Sequence, residues 1–301
     1  MKKIINFIVY GFLVCLSFLT NALTIKMRTR LGGFLGRLIA IIAPKRVQIA
    51  NDNLTQAFPD KSPNWINETT NGCFRNLGIV LLEILLLRTI SKTKLNSYIK
   101  FNNLELIEKL KQQNTGILML SGHYGNWEIL ALGGGIQVSI PIVMVVEPQR
   151  NKYMSDDMYK MRTKFGNMTT SRYQAAREIV NAIKKNYVVA LLVDQSATSN
   201  KDIFVDFFGR PAATFEAPAN LALRFKIPVV FGVAVRQSDG TYKVDLTQIT
   251  HDDLQYDKQG IEEFTKRHVK ALEDAIRDHP DQWAWMHKRW KHQPPKGTDN
   301  A

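Results

Sequence analysis

Between Lys3 and Lys26 the chain carries no charged residue, and IINFIVYGFLVCLSFLTNALTI fills the interval from Ile4 to Ile25. About 20 apolar residues are enough for a helix to cross the hydrocarbon core of a bilayer. A cleaved signal peptide has a shorter apolar region and ends at small residues, and Thr20-Asn21-Ala22 is a poor cleavage site. A buried core helix is the alternative for a run with almost no polar face, but this one is about two turns longer than a usual helix. The segment is therefore expected to anchor the protein in a membrane. Residues 1–45 are read as the anchor and an interfacial helix, 46–293 as the globular body, and 294–301 as a disordered tail without core residues.

Lys2 and Lys3 precede the run, whereas Lys26, Arg28, Arg30, Arg37, Lys45 and Arg46 follow it. The positive-inside bias then predicts a single pass with the body in the cytoplasm. LGGFLGRLIAIIA (31–43) is too short to span and contains Arg37, so it is expected to lie along the interface. A net charge of +13 calls for acidic partners. Nucleic acid is not expected, because the chain has no helix-turn-helix signature, zinc-finger spacing or RNP motif. Cys15 and Cys73 are the only cysteines and define neither a disulfide framework nor a metal site.

Past residue 115, apolar strands alternate with helical stretches. The strands are GILMLS (116–121), IPIVMVV (140–146), YVVALLV (187–193) and IPVVFGVAV (227–235). The helices are expected from Trp127, over 151–164, 175–185 and 215–225, and over 260–280 up to Pro280. Near-continuous apolar strands separated by helices predict an α/β fold, with a mostly parallel central sheet and helices on both faces. LGIVLLEILLLR (77–88) is interrupted by Glu83 and reads as a buried or membrane-facing helix.

The chemistry concentrates in SGHYGNWE (121–128). Ser121-Gly122 ends the first strand and Asn126 is a good N-cap, which leaves His123 in the connecting loop and Glu128 in the first helical turn. Gly133-Gly134-Gly135 reads as the end of that helix. The chain has no GxSxG elbow, P-loop, HExxH or GxGxxG. A histidine with a carboxylate partner is the basic unit of general-base catalysis. With no serine or cysteine arranged as nucleophile, its simplest use is to activate a substrate hydroxyl for attack on a bound thioester or ester, with loop amides around the oxyanion. A packed histidine and a glutamate that favours a helix N-terminus would produce the same spacing.

Taken together, several blocks resemble the bacterial lipid A biosynthesis acyltransferases. They are the His-x₄-Glu of His123 and Glu128, RVQIANDNLTQAFP (46–59), Phe74…Gly78…Glu83, LLVDQ (191–195), VDFFGRPAATFEAPANLA (205–222), IPVV (227–230) and PDQWAWMHKRWK (280–291). The resemblance implies a glycerolipid-acyltransferase-like fold for residues 46–293, and implies a membrane anchor in front of it. It implies acyl transfer from an acyl carrier protein thioester, as co-substrate, to a hydroxyl of a lipid A precursor at the inner membrane, without cofactor or metal. On that basis His123 is the base and Glu128 its orienter. Arg162 contacts the acceptor or polarises the thioester, Arg150 competes for that role, and Asp194, Gln195 and Asn126 complete the substrate-binding set. Lys288, Arg289, Lys291 and Lys296 are expected to face membrane or donor, and Trp283, Trp285 and Trp290 to form an interfacial belt or core. The chain departs from the family at Glu216, where glycine is usual, and at VVEPQRN (145–151). The acceptor therefore stays open to another glycolipid, such as a mannosylated phosphoinositide or an ornithine lipid. A lysophospholipid acceptor would bring a Glu-Gly-Thr-Arg block, where this chain has Val193-Asp194-Gln195-Ser196. An inactive membrane adaptor for carrier protein is the alternative of a different class.

Overall fold

The computed structural model describes residues 2–138, 140–197 and 203–294. Lys296 and nearly all of the expected tail lie outside the described residues. The chain begins with five helices: α1 (Lys2–Ala22), α2 (Ile25–Ile42), α3 (Pro44–Ala57), α4 (Pro63–Thr89) and α5 (Lys92–Asn96). Strands and helices then alternate as β1 (Ile99–Asn102), α6 (Leu104–Lys111), β2 (Ile117–Ser121), α7 (Trp127–Gln137), β3 (Ile142–Val146), α8 (Lys152–Thr163), β4 (Met168–Ser171), α9 (Ala175–Lys184) and β5 (Val188–Leu192). There follow β6 (Ile203–Phe207), β7 (Arg210–Thr214), α10 (Ala217–Phe225), β8 (Val229–Phe231), β9 (Val235–Arg236), β10 (Tyr242–Asp245), β11 (Thr247–Ile249) and α11 (Lys258–Asp278). A 3₁₀ turn, Pro280–Gln282, leads into the C-terminal tryptophans.

The α/β body is built on a sheet of order β11-β8-β2-β5-β3-β4. Neighbours pair in parallel from β8 through β4, and β11 closes the edge antiparallel. Successive strand residues face two separate cores, as period-two geometry requires. Leu118, Leu120, Val143, Val189 and Val229 pack with α9, α10 and α11, while Ile117, Met119, Ile142, Met144, Val188 and Val230 pack with α6, α7 and the end of α4. The central strands β2, β3, β5 and β8 are covered on both sides, which explains why they are apolar at nearly every position rather than every second one, whereas the edge strands β4 (MTTS) and β11 (TQI) are not.

The N-terminal helices pack on this body. Thr24 caps the second of them, its hydroxyl accepting from Met27 N at 3.2 Å. The expected interfacial segment is thus part of a longer helix that starts at Ile25. Gly32, Gly36 and Gly78 let α2 and α4 touch backbone to backbone: a side chain on Gly78 would begin 2.1 Å from the Gly32 carbonyl oxygen. The first helix is long and apolar enough to cross a membrane. It packs along α4, where Thr89 Oγ1 donates to the Ser17 carbonyl at 3.4 Å, meets α8 through the Tyr10–Tyr153 stack at 5.8 Å, and meets α5 through Lys94 Nζ, which donates to the Asn21 carbonyl at 2.9 Å. Its outer face exposes Ile4, Ile8, Phe12 and Phe18, and α2 exposes Leu31, Phe34, Ile41 and Ile42. Contiguous apolar surface of this kind suits contact with lipid.

The structure refines several stretches. The stretch 227–235 is two strands, because at Gly232 the chain leaves the main sheet and β9 joins β10 and β1 in a small separate one. The helix after Asn126 runs through Gly133-Gly134-Gly135 to Gln137. There the glycines admit neighbours instead of capping: a Cβ on Gly135 would meet Asn167 Oδ1 at 2.2 Å. Residues 203–214 form a β-hairpin turning on Phe208 and Gly209, both at positive φ. Finally, Trp283, Trp285 and Trp290 are core residues, and Arg289 is 1% exposed, donating to Thr214 Oγ1 at 2.7 Å. The C-terminal basic run is therefore not a uniform surface face.

Candidate active site

Neighbouring strands β2 and β5 run in parallel with Ser121 opposite Leu192. Two residues beyond each of these ends come His123 and Asp194, so equal offsets on adjacent parallel strands deliver the two side chains to one place. His123 Nδ1 lies 2.8 Å from Asp194 Oδ1. The other carboxylate oxygen, Oδ2, accepts from the His123 backbone N–H at 2.7 Å and from Trp283 Nε1 at 2.9 Å. A carboxylate can only accept, so Nδ1 carries a proton, and in the neutral ring the lone pair sits on Nε2. That nitrogen faces the Gln195 side-chain amide at 3.5 Å. The ring also meets Trp127 edge to face at a centroid distance of 4.9 Å.

The carboxylate on the imidazole is thus Asp194, and the expected His123–Glu128 hydrogen bond is absent. Spacing put Glu128 near His123 along the chain, but the helix turns its carboxylate toward α8. There Arg162 grips it with two donors, Nε at 2.9 Å from Oε2 and Nη2 on Oε1. This pair is mostly buried, with 4% of the Glu128 side chain and 16% of the Arg162 side chain exposed. Arg162 also lines a cleft of about 280 Å³ whose walls include Glu147, Gln149, Tyr159 and Ser171.

Asn126, expected to touch substrate, is fully buried. Its Oδ1 accepts from the N–H groups of Glu128 and Ile129, and its Nδ2 donates to Glu83 Oε2 at 2.8 Å. Both ends of its amide are engaged inside the protein. Arg150 is exposed and makes no hydrogen bond to these groups among the described residues. Gly125, between them, adopts a positive φ and approaches so closely that a Cβ would fall 1.8 Å from the Ala234 carbonyl oxygen. Only glycine fits there.

Burial alone would lower the His123 pKa, but the Asp194 charge and hydrogen bond outweigh it and hold the imidazole above its ordinary value. Burial pushes Asp194 the other way, and its bonds to His123 and Trp283 keep it below the usual carboxylate range. Burial raises the Cys73 thiol well above its normal range, so it is no ready nucleophile. No His, Cys, Asp or Glu cluster among the described residues suits a metal ion.

Removing one partner of a buried ion pair strands the other charge. Arg162→Met is therefore expected to lower the unfolding free energy by about 3 kcal/mol, the low end of the range for such pairs. A denaturant titration in detergent reads this as a fall in midpoint, and an unchanged midpoint would mean that water already screens Glu128.

Comparison with known proteins bears on the chemistry. Residues 1–292 match the family model described as bacterial lipid A biosynthesis acyltransferase. The chain is 25% identical over 262 residues to a lipid A biosynthesis acyltransferase of Haemophilus influenzae, covering 87% of this chain and 80% of that one. It is 24% identical over 267 residues to the lipid A biosynthesis palmitoleoyltransferase of Escherichia coli, covering 88% and 85%. The lauroyltransferase of the same organism gives the same identity and coverage. With the match running through both the N-terminal helices and the loop that carries His123, the chain belongs to the bacterial lipid A biosynthesis acyltransferase family.

Proposed function

We propose that this protein transfers a fatty acyl chain from an acyl carrier protein thioester to a hydroxyl of a lipid A precursor, at the cytoplasmic face of the inner membrane. The observation that carries the reading is the His123–Asp194 pair at 2.8 Å, which fixes Nδ1 and leaves Nε2, faced by the Gln195 amide at 3.5 Å, as the basic nitrogen at a partly open site. In this scheme Nε2 takes the proton of the acceptor hydroxyl as its oxygen attacks the thioester carbonyl. The Asp194 charge stabilises the imidazolium that forms. The tetrahedral oxyanion then collapses, the carbon–sulfur bond breaks, and the Nε2 proton passes to the departing thiolate. This leaves an ester, a free carrier thiol and the starting imidazole. Gln195 Nε2 and loop N–H groups are the candidate donors to the oxyanion. Asp194 thus takes the orienting role that the family resemblance implied for Glu128. The bidentate Arg162–Glu128 pair fixes the start of α7 and the wall of the adjoining cleft.

The charge of the chain supports the same reading. Carrier protein, phosphorylated lipid disaccharides and inner-leaflet headgroups are all acidic, and +13 suits each of them. The exposed apolar faces of α1 and α2, the latter also carrying Lys26, Arg30 and Arg37, supply an anchor beside anionic lipid. A glycerolipid-acyltransferase-like fold belongs to this reading, and the place of His123 beyond the C-terminal end of the central parallel strand β2 supports it.

Mass spectrometry of lipids from cells with and without the gene tests the proposal. Loss of one acyl chain from lipid A is the expected result. A change confined to phospholipids, or no lipid change at all, would overturn it.

A further inference from the structure

Glu83 sits inside the most apolar stretch of the body and is only 6% exposed. Three side chains converge on it. Arg236 reaches Oε1 through Nη1 at 2.6 Å and Oε2 through Nη2 at 3.1 Å. The Tyr242 hydroxyl donates to Oε2 at 2.6 Å, and Asn126 Nδ2 does so at 2.8 Å. A second layer surrounds this centre. Arg236 Nε and Nη2 donate to Asn76 Oδ1 at 3.3 and 3.2 Å. Asn76 Nδ2 in turn donates to the carbonyls of Gly125 and Gln282, each at 3.3 Å. Both residues that lead into α7, Gly125 and Asn126, are therefore bonded to side chains of α4, Asn76 and Glu83, which Arg236 of β9 ties together.

A buried ion pair adds little net stability, and well-packed apolar residues often replace one without loss. The fold alone does not explain a glutamate amid these leucines. Its acceptor-only character does have a consequence. A carboxylate admits only the NH₂ end of the Asn126 amide, which forces the amide oxygen toward the N–H groups of Glu128 and Ile129. The orientation of the cap, and with it the path of the loop from His123 to Glu128, follows from the charge state at position 83.

We propose that Glu83 and Arg236 are positioning residues that set the catalytic loop through Asn126. Neither touches substrate. The proposal rests on the reading of His123 as the base, and the test separates the two. In the full-length detergent-solubilised protein, the paired variant Glu83→Leu with Arg236→Met removes the buried charges together. Acyl transfer from carrier thioester to a lipid A precursor is expected to fall about 10- to 100-fold in kcat, the scale of a small misplacement of reacting groups. KM for the thioester should stay within about threefold, and the unfolding midpoint should fall while the transition stays cooperative, because the Tyr242 hydroxyl, the Asn126 amide and Asn76 Oδ1 lose buried partners. Hydrogen exchange of the loop peptide 121–130 should speed up while β5 stays protected. Unchanged kcat and loop exchange in the folded variant would overturn the proposal, as would exchange rising throughout together with a lost midpoint. If the pair does not fold, Arg236→Lys keeps the charge but loses the fork, and about a tenfold loss of kcat is expected. Full turnover in that variant would count against positioning. An inactive unmodified protein would sink the functional reading, while the exchange comparison would still decide the loop.

Discussion

Asparagine at position 194 lowers turnover about 10³-fold or more, on the scale seen when the carboxylate of a His–Asp unit is neutralised. The geometry shows why so small a change is so large in effect. Asp194 Oδ2 accepts from two fixed donors, the His123 backbone N–H and Trp283 Nε1. An amide at this position must place its oxygen there, which turns its NH₂ toward His123 Nδ1. The imidazole then has to accept at Nδ1 and carries its proton on Nε2, where the acceptor hydroxyl needs a lone pair. The pH dependence moves as well. A protonated imidazole cannot act as base, so kcat/KM falls as pH drops through the His123 pKa. In the unmodified protein that acid limb lies above the ordinary histidine value of about 6.5. Without the Asp194 charge, burial becomes the dominant influence and the limb shifts to lower pH. A rate–pH profile of both proteins reads the two effects together. Normal turnover, or an acid limb that stays in place, would remove Asp194 from the mechanism.

What could be read from the sequence follows a physical division. The α/β class was legible because strands buried on both faces must be apolar throughout, as in GILML and YVVALLV. The length of α1 was legible for a related reason, since an uninterrupted apolar run makes a helix long and apolar enough to cross a membrane. The loop holding His123 was marked by local chemistry, with Gly122 at the turn and Asn126 at the cap. The partner of His123 was not legible by this route, because it comes from a strand whose adjacency to β2 is a tertiary fact. The chain visits β3 and β4 before β5, yet β5 inserts between β2 and β3. A usable signal did exist: Asp194, like His123, lies just beyond the end of an apolar strand. Glu128, nearer in sequence, was the more obvious partner and the wrong one for a hydrogen bond. Glu83 carried a signal too, as a charge inside an apolar helix, but its three partners lie at positions 126, 236 and 242. The trio Trp283, Trp285 and Trp290 fits belt or core equally by composition, and only packing decides.

Removing the imidazole itself has the largest expected effect. His123→Ala should abolish acyl transfer, by about 10³-fold or more, while leaving membrane association as it was, since in the proposed arrangement α1 and α2, and not this loop, meet lipid. Loss of activity alone would not distinguish a base from a packing residue, and the surroundings of the ring provide the distinction. A quarter of the His123 side chain is exposed, at 25%, so the vacated space opens to solvent. Its walls keep the Asp194 carboxylate on one side and the Trp127 ring on the other. Free imidazole entering that space would find the same acceptor for one nitrogen and would present its other lone pair where Nε2 stood. Added imidazole should therefore restore part of the rate to His123→Ala in a concentration-dependent manner, and restore less to a variant that also carries Asp194→Asn. Rescue that saturates and depends on Asp194 assigns proton transfer to this position. An alanine variant that turns over within tenfold of the unmodified protein would place the base elsewhere, and a variant that leaves the membrane would make the loop part of the anchor instead.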